Sequence, residues 1–494
     1  MLLVGSLVLG GGLRAWISLT DDGIFWPDEI YQSFEPAHRF VFGQAIMPWE
    51  FLLGARNWAF PGVIAAYLKL TDLIGLRDPD VYLDLAALLF SAASVATGYA
   101  SFLLARRYGA STVAAAAGAS LYALTSFAIY LAPRALSENA STLPATLGLA
   151  LLLPREAPPR DRALGAALLG VAVLFRLQNA VFAVAALAVL LWRRRPADIR
   201  VAGIALGVAA AAYGLLDLVA WGAPFRSVPL YITTNLGRLD LTATFGSAAV
   251  TTLPEWYYPP ADFYLRSLVT AIGPAIVVAA ALAAIAWKRA TDLWVVALAF
   301  FFVHSAAPHK ELRYILPALP LVGALAGIGI DEAPRLLRGR AWIAAAAAAV
   351  LVVASAASAV TFRGLTFRAL GVQGDRLAAN AQEQLRPWKT PDASAYDDPG
   401  SVNRLLLTAR GVPDLCGLKV ESVLPEFQGG YTYFHRAAPL YRLGGPPRAS
   451  GFFNYAITLR GEEGGGEVRA SDGDMVLVRI RTSCGTDPLF DYRL

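Results

Sequence analysis

A polytopic α-helical membrane protein with a small C-terminal α/β domain is the fold class that three features of the sequence predict. Apolar residues make up 56% of the 494 positions and charged residues only 16%, whereas a soluble chain carries about a quarter charged. The mean hydropathy is positive, at +0.50. The apolar residues also fall into runs of about 17 to 25, the length at which a helix crosses a bilayer core, with basic residues clustered between them.

Taken in order, the runs predict about eleven spans, at 2–20, 81–105, 110–131, 138–153, 163–176, 178–192, 200–222, 264–287, 291–306, 313–330 and 341–360. The first run carries Arg14, lacks a basic flank and has no small-residue cleavage site, so it reads as a retained span. The pair at 163–192 is short for two ordinary spans and reads as a broken or re-entrant hairpin, tolerable where protein covers the backbone. Residues 1–360 then form the membrane domain, with long loops at 21–80 and 223–263.

Loop 21–80 holds nine acidic residues together with Trp26, Trp49 and Trp58. Tryptophan favours the headgroup level, so the loop is expected along the membrane surface. Its stretch Ala59–Leu76 reads as an amphipathic interfacial helix with Lys69 and Asp72 on the wet side; the alternative, a twelfth span, would break the charge pattern. Residues 361–494 carry charges throughout and are expected to form an extracytoplasmic α/β domain. Gly374–Leu385 reads as helix, and Arg404–Thr408, Phe452–Leu459 and Met475–Ile480 as strands, with Gly429-Gly430 and Gly444-Gly445 as turns.

The net charge of +5 does not point to nucleic acid. Arg106-Arg107, Arg155 to Arg162, Arg193 to Arg195, Lys288-Arg289 and Arg335 to Arg340 all lie between apolar runs, as cytoplasmic loops do. An N-terminus inside puts all five clusters in the cytoplasm and the segments 21–80, 223–263 and 361–494 outside. The two cysteines, Cys416 and Cys484, would then face an oxidising compartment; a disulfide and a pair of small core residues both remain open readings.

Three constellations carry candidate chemistry. In the first loop, a helix after Pro27 would put Asp28, Gln32, Glu35 and Arg39 on one face. A carboxylate there, partly desolvated by aromatics, suits a general base for a hydroxyl; the plain alternative is acids favouring a helix first turn. The run His309-Lys310-Glu311-Leu312-Arg313-Tyr314 puts three basic side chains at the outer interface, where they can hold a phosphate. Its alternative is a hydrophilic cap on a turn. Arg134 and Arg176 lie close to or within apolar runs, where an arginine needs a partner or water; Glu138 is a structural partner available to Arg176. There is no phosphate-binding or dinucleotide fingerprint. Four histidines without a paired motif argue against zinc, and a divalent ion on the loop carboxylates stays an open option.

These residues resemble glycosyltransferase family 22, the mannosyltransferases of lipid-linked oligosaccharide and glycosylphosphatidylinositol-anchor assembly. The match runs through Pro27-Asp28-Glu29, Gln32, Glu35, His38, Gly43, Pro48-Trp49-Glu50 and Arg56. His309 to Tyr314 resembles the family's His-Lys-Glu-x-Arg-Phe signature, and Arg134 to Asn139 its Arg-Thr-x-Ser-Asn run, from which Ala135 and Glu138 depart. The resemblance covers residues 20–330. It implies the GT-C fold and inverting transfer on the non-cytoplasmic face. The implied donor is a polyprenyl-phosphate-linked sugar, usually mannose, and the acceptor a glycan or glycolipid amid membrane lipids. Asp28, or second to it Glu29, would take the acceptor proton. His309, Lys310 and Arg313 would steady the leaving phosphate, with Tyr314 beside them. Gln32, Glu35, His38, Trp49, Glu50, Arg56, Arg134 and Arg176 would bind substrate. No cofactor is expected, and Ala- and Arg-rich usage suggests a bacterial plasma membrane. The competing readings are a GT-C transferase of arabinose, glucose or a modified hexose, a flippase of lipid-linked sugars, and a noncatalytic scaffold.

Overall fold

A computed structural model describes the chain except for residues 237–258, 337–339, 341, 371–391, 398–399, 422–426, 443–450 and 492–494. The expected helix at Gly374–Leu385, the turn at Gly444-Gly445 and most of the second long loop therefore lie outside the described residues.

Apolar helices occupy the predicted positions. They are α1 (Leu2–Ser18), then, after the first loop, α5 (Pro79–Arg107), α6 (Thr112–Leu124), α7 (Ser126–Leu131), α8 (Ser137–Leu152), α9 (Pro159–Phe175), α10 (Ala180–Trp192) and α11 (Pro196–Trp221). There follow α12 (Ser227–Asn235), α13 (Phe263–Ile272), α14 (Pro274–Ile285), α15 (Thr291–Ala306), α16 (Leu319–Leu336) and α17 (Trp342–Val360). Among the described residues, four stretches are long and apolar enough to cross a membrane: Pro79–Arg107, Pro196–Trp221, Leu312–Leu336 and Trp342–Val360. The outward face of α11 is apolar, as a lipid-facing helix requires: Ile204, Val208, Leu215 and Val219 are all exposed.

Two predicted spans are broken. The run 110–131 splits at Thr125, and 264–287 splits at Gly273 ahead of Pro274. The first break leaves the last carbonyls of α6 without helical partners. Arg14, fully buried, answers them: Nη1 donates to the Ala123 carbonyl at 2.7 Å and Nη2 to that of Tyr122 at 3.0 Å. The arginine within the first run thus caps another helix at membrane depth. Small residues permit the close packing around it. A Cβ on Gly118 of α6 would come within 2.2 Å of the Gly323 carbonyl of α16, the small-residue contact by which membrane helices approach.

The first loop folds as a π-helical turn (Ile30–Phe34), α2 (Glu35–Phe42), α3 (Trp49–Leu53) and α4 (Ala59–Leu73). Helix α4, with 15 residues, falls short of about 30 Å of hydrocarbon. Phe60, Ile64, Ala65 and Leu68 are buried and Lys69 pairs with Asp72 at 3.0 Å on the exposed face. This is the amphipathic pattern that the sequence suggested.

Beyond Val360 stands a five-stranded sheet of order β2-β1-β3-β5-β4: β1 (Leu418–Val420), β2 (Leu440–Tyr441), β3 (Tyr455–Leu459), β4 (Glu467–Asp472) and β5 (Met475–Arg479). Strand β1 pairs in parallel with β2 and β3, and β5 is antiparallel to β3 and β4. Cys416 and Cys484 form a disulfide that closes the segment around the sheet. Arg404–Thr408 is not a strand. It lies in α18 (Ser401–Arg410), where Val402, Leu405, Leu406 and Ala409 are buried at helical spacing. The sheet shares one core with the first loop: Ile30, Phe34 and Ile46 pack in the same cluster as Tyr431, Phe434, Tyr455 and Ile457.

Candidate active site

Helical period alone would stack Asp28, Gln32, Glu35 and Arg39 on one side. The π-turn at Ile30–Phe34 puts one more residue into the turn and rotates the chain beyond it. Asp28 and Gln32 face an open cleft, whereas Glu35 is fully buried against the C-terminal segment.

The cleft has two adjoining lobes. One, of about 130 Å³, is lined by Asp28, Gln32, Trp49, Glu50, Arg56, Tyr231, His309, Glu311 and Tyr314. The other, of about 40 Å³, shares Asp28, Gln32, Arg56 and Tyr231 and adds Ser137 and Arg176.

One buried arginine organises the floor. Arg313 donates from Nη2 to Asp28 Oδ2 at 2.5 Å and from Nε to Glu311 Oε2 at 2.7 Å, and its Nη1 lies 3.3 Å from Glu138 Oε1. Three carboxylates from three separate segments thus meet one guanidinium, whose planar fork suits several oxygens at once. Glu311 also accepts from the Tyr314 hydroxyl at 2.8 Å and from His309 Nε2 at 2.9 Å. Burial alone would push its carboxyl up, but Arg313 and His309 beside it hold it well below the usual range. Arg176 donates to Ser137 Oγ at 3.0 Å and pairs with Glu138 at 3.1 Å while lining the smaller lobe. On the far wall Gln32 Nε2 donates to Glu50 Oε1 at 2.7 Å, and burial raises the Glu50 carboxyl above its ordinary range against the pull of Arg56. Arg56 has no ion-pair partner among the described residues; its guanidinium lies over the Tyr231 ring at 5.0 Å. The cleft therefore sets Asp28, a part-exposed carboxylate held by Arg313, against Arg56, a cation without an ion-pair partner among the described residues.

The structure thus brings together Asp28, Gln32, Trp49, Glu50, Arg56, Arg176, His309, Arg313 and Tyr314. It places five other predicted site residues elsewhere. Glu29 accepts from the backbone N–H groups of Phe25 and Trp26 and pairs with Arg134 at 2.7 Å. Arg134 also pairs with Asp21 at 2.9 Å and donates to the Gly23 carbonyl, so both residues shape the loop entry. Lys310 turns away and donates to the Pro259 carbonyl at 2.8 Å. Glu35 accepts from the N–H of Ile46 at 2.5 Å and from the N–H and hydroxyl of Thr432 at 2.6 Å. His38 sits 2.8 Å from His435, ring nitrogen to ring nitrogen, with Gln44 behind it. Burial pushes the Glu35 carboxyl up to about 7 and the His38 imidazole down to about 3.

Sequence reasoning gave no site role to Glu311, Glu138 or Tyr231. The two acids stood inside quoted motifs, and an acid beside a deep arginine was the available signal. Tyr231, a lone tyrosine in a short helix, offered none.

Comparison with known proteins shows the chain's family and fold. The profile of the Alg9-like mannosyltransferase family matches residues 12–372. GPI mannosyltransferase 3 of Yarrowia lipolytica is 29% identical over 377 residues, 73% of this chain and 68% of its own length. Its counterpart from Schizosaccharomyces pombe is 24% identical over 64% of this chain and 65% of its own. Among solved structures, ArnT from Cupriavidus metallidurans bound to undecaprenyl phosphate superposes with a TM-score of 0.56 at 17% identity, covering 98% of this chain and 99% of ArnT. The apo oligosaccharyltransferase of Archaeoglobus fulgidus gives a TM-score of 0.54 at 12% identity, over 93% of this chain and 69% of its own. The shared architecture is the GT-C fold.

Proposed function

Because the chain belongs to the Alg9-like mannosyltransferase family, we propose that it moves mannose from a polyprenyl-phosphate donor to a glycan or glycolipid acceptor, with inversion, on the non-cytoplasmic face. The observation that carries this is Asp28, a carboxylate held by Arg313 at 2.5 Å and open to a cleft that also holds Arg56. Asp28 accepts the acceptor's hydroxyl proton as that oxygen attacks the anomeric carbon. The C–O bond to the lipid phosphate breaks, and the departing phosphate gathers charge. Arg56 and Arg176 are the cleft cations that meet it, with the His309 ring beside them, in place of Lys310, whose ammonium donates to a backbone carbonyl. Preorganised charge of this kind contributes about 10²–10³ in rate per donor. Gln32, Trp49 and Glu50 contact the sugar. These side chains supply the charge by themselves, so transfer is expected to survive chelation of divalent ions.

The structure of ArnT with undecaprenyl phosphate supports a polyprenyl-phosphate donor, since the two chains share a fold. The basic ends of α5, α10 and α14 lie opposite the cleft, which supports a cytoplasmic N-terminus and an outward cleft in a multi-pass membrane protein. The disulfide Cys416–Cys484 agrees with an oxidising side for the C-terminal domain, whether in a bacterial plasma membrane or another.

The test is transfer from polyprenyl-phosphate-mannose by purified protein, wild type against Asp28→Asn. Loss of about a hundredfold or more with fold and donor binding intact supports the role. Equal rates remove Asp28 as the base. No transfer from any lipid-phosphate sugar, with plausible acceptors supplied, overturns the enzyme assignment in favour of lipid-linked sugar passage.

A further inference from the structure

At the other ends of the same helices lies a second cavity, of about 600 Å³, which the transfer reaction does not use. Helix α5 begins against the C-terminal segment through Tyr82, whose hydroxyl donates to the Thr432 carbonyl, and ends at Arg107, on the wall of this cavity. Its other basic lining comes from Arg155, Arg193, Lys288 and Arg289, against the acids Glu156 and Asp292.

The frame is rigid. Arginines clamp the loop after α8 by its own carbonyls: Arg193 donates to Leu153 at 2.5 Å, Arg162 to Arg155 at 2.8 Å and to Ala157 at 2.9 Å, and Arg195 to Arg155 at 2.8 Å. Arg289 fixes the opposite wall, donating to the carbonyls of Tyr108 at 3.2 Å and Gly109 at 2.5 Å and pairing with Glu332 at 2.7 Å. Arg107 and Arg193 are likewise neutralised, by Asp161 and Asp292.

Within that frame two cations are left over. Arg155 and Lys288 are exposed and take part in no ion pair among the described residues. The hydroxyl of Tyr108, a residue also in the lining, is buried and meets no hydrogen-bond partner among the described residues. A surface cation that only marks the cytoplasmic side needs no cavity, no clamped loop and no unpartnered buried donor. Trp192 and Trp287, 65% and 46% exposed, directly precede Arg193 and Lys288 and set this level at the headgroups.

We propose that this cavity binds the phosphate group of an anionic phospholipid, with Arg155 and Lys288 meeting its charge and the Tyr108 hydroxyl donating to a phosphate oxygen. The full-length protein, purified in detergent and delipidated, is titrated with phosphatidylglycerol or phosphatidylcholine, and retained lipid is counted by native mass spectrometry. Phosphatidylglycerol is expected to be retained in preference. Arg155→Ala with Lys288→Ala should lower its retention about tenfold or more, since each basic residue at a membrane surface contributes appreciably to anionic-lipid attraction. Arg266→Ala with Arg363→Ala, two exposed arginines toward the cleft end, should leave it unchanged. Tyr108→Phe, which removes one oxygen, should lower it by a smaller factor and keeps the test alive if the double variant fails to fold. Equal retention by wild type, the double variant and Tyr108→Phe, or equal retention of the two lipids, overturns the proposal. Displacement of the lipid by inorganic phosphate overturns the headgroup assignment and gives the cavity to soluble phosphate. Because the readout is bound lipid, it stands or falls independently of mannosyl transfer.

Discussion

Asp28 and Glu35 sit on one loop segment, flank one π-turn and carry the same functional group, yet their surroundings differ in every respect that matters to chemistry. Asp28 lies on the open cleft with the Arg313 guanidinium at 2.5 Å, where substrate can reach it. Glu35 is sealed against Thr432 and Ile46, and its carboxyl rises to about 7 because burial outweighs the bonds it accepts. One end of the segment opens on the cleft and the other holds the C-terminal domain. A carboxylate's role is set by what its backbone register lets it face, and a single widened turn decides that here.

The comparison breaks most sharply at Asp28. Asp28→Asn keeps the size and loses the proton acceptor, and transfer is expected to fall by about 10²–10⁴, read as kcat with donor binding measured separately. Glu35→Gln, on the same segment, should leave kcat within about threefold of wild type, because nothing in the cleft touches it. If the two variants lose activity equally, the separation of roles is wrong.

Arg134 sharpens the same division from the structural side. It is buried and holds Asp21, Glu29 and the Gly23 carbonyl at the loop entry. Arg134→Ala strands two carboxylates, and breaking a buried pair in this way costs about 3–5 kcal/mol. The expected result is a lowered unfolding midpoint in detergent, with whatever folded fraction remains still transferring sugar. Loss of transfer at unchanged stability would instead bring Arg134 into the cleft's chemistry.

How far the sequence revealed these roles depends on the physical origin of each signal. Span positions rest on composition, and composition survives folding, so α1, α5 and α11 fall where the apolar runs lie. Breaks at Thr125 and Gly273 depend on which tertiary donors can answer freed carbonyls, such as Arg14 across the bundle, and a linear reading cannot see those. The cleft was legible where charge density marked it, at Asp28, Arg56 and Arg313. It failed at Glu35, His38 and Lys310 because helical period was extended through a π-turn and because direction, not residue type, sets a partner. The strand expected at Arg404–Thr408 came from too short a window; the full run from Ser401 has helical burial.

The C-terminal side of the comparison has its own lock. The disulfide joins Cys416 and Cys484 across a separation of 68 residues around the sheet. Cys416→Ser with Cys484→Ser frees that loop in the unfolded chain and should cost about 2–4 kcal/mol. Protease sensitivity of the tail reports it, and the cleft should keep its rate while the tail stays docked.

The smallest effect expected is the pH response of the clasp itself. The folded Glu35 carboxyl lies above its unfolded value, near 4.5 against about 7, so its stabilisation is complete below the lower value and fades as pH rises through the upper one. Over about pH 6 to 8 that removes on the order of 1 kcal/mol. His38 runs the opposite way: its imidazole is held down to about 3 from 6.5, so its stabilisation is complete above the upper value and fades as pH falls. The two contributions partly cancel across the interval. Glu35→Gln removes one side of the balance and leaves the other. Its stability relative to wild type should therefore rise by about 1 kcal/mol between about pH 6 and pH 8, read as the difference in unfolding midpoints. Every other titrating group is common to both chains and drops out of that difference. A pH-independent difference would mean that Glu35 stays ionised in the fold, and that its bonds from Thr432 and Ile46, rather than its burial, decide its state.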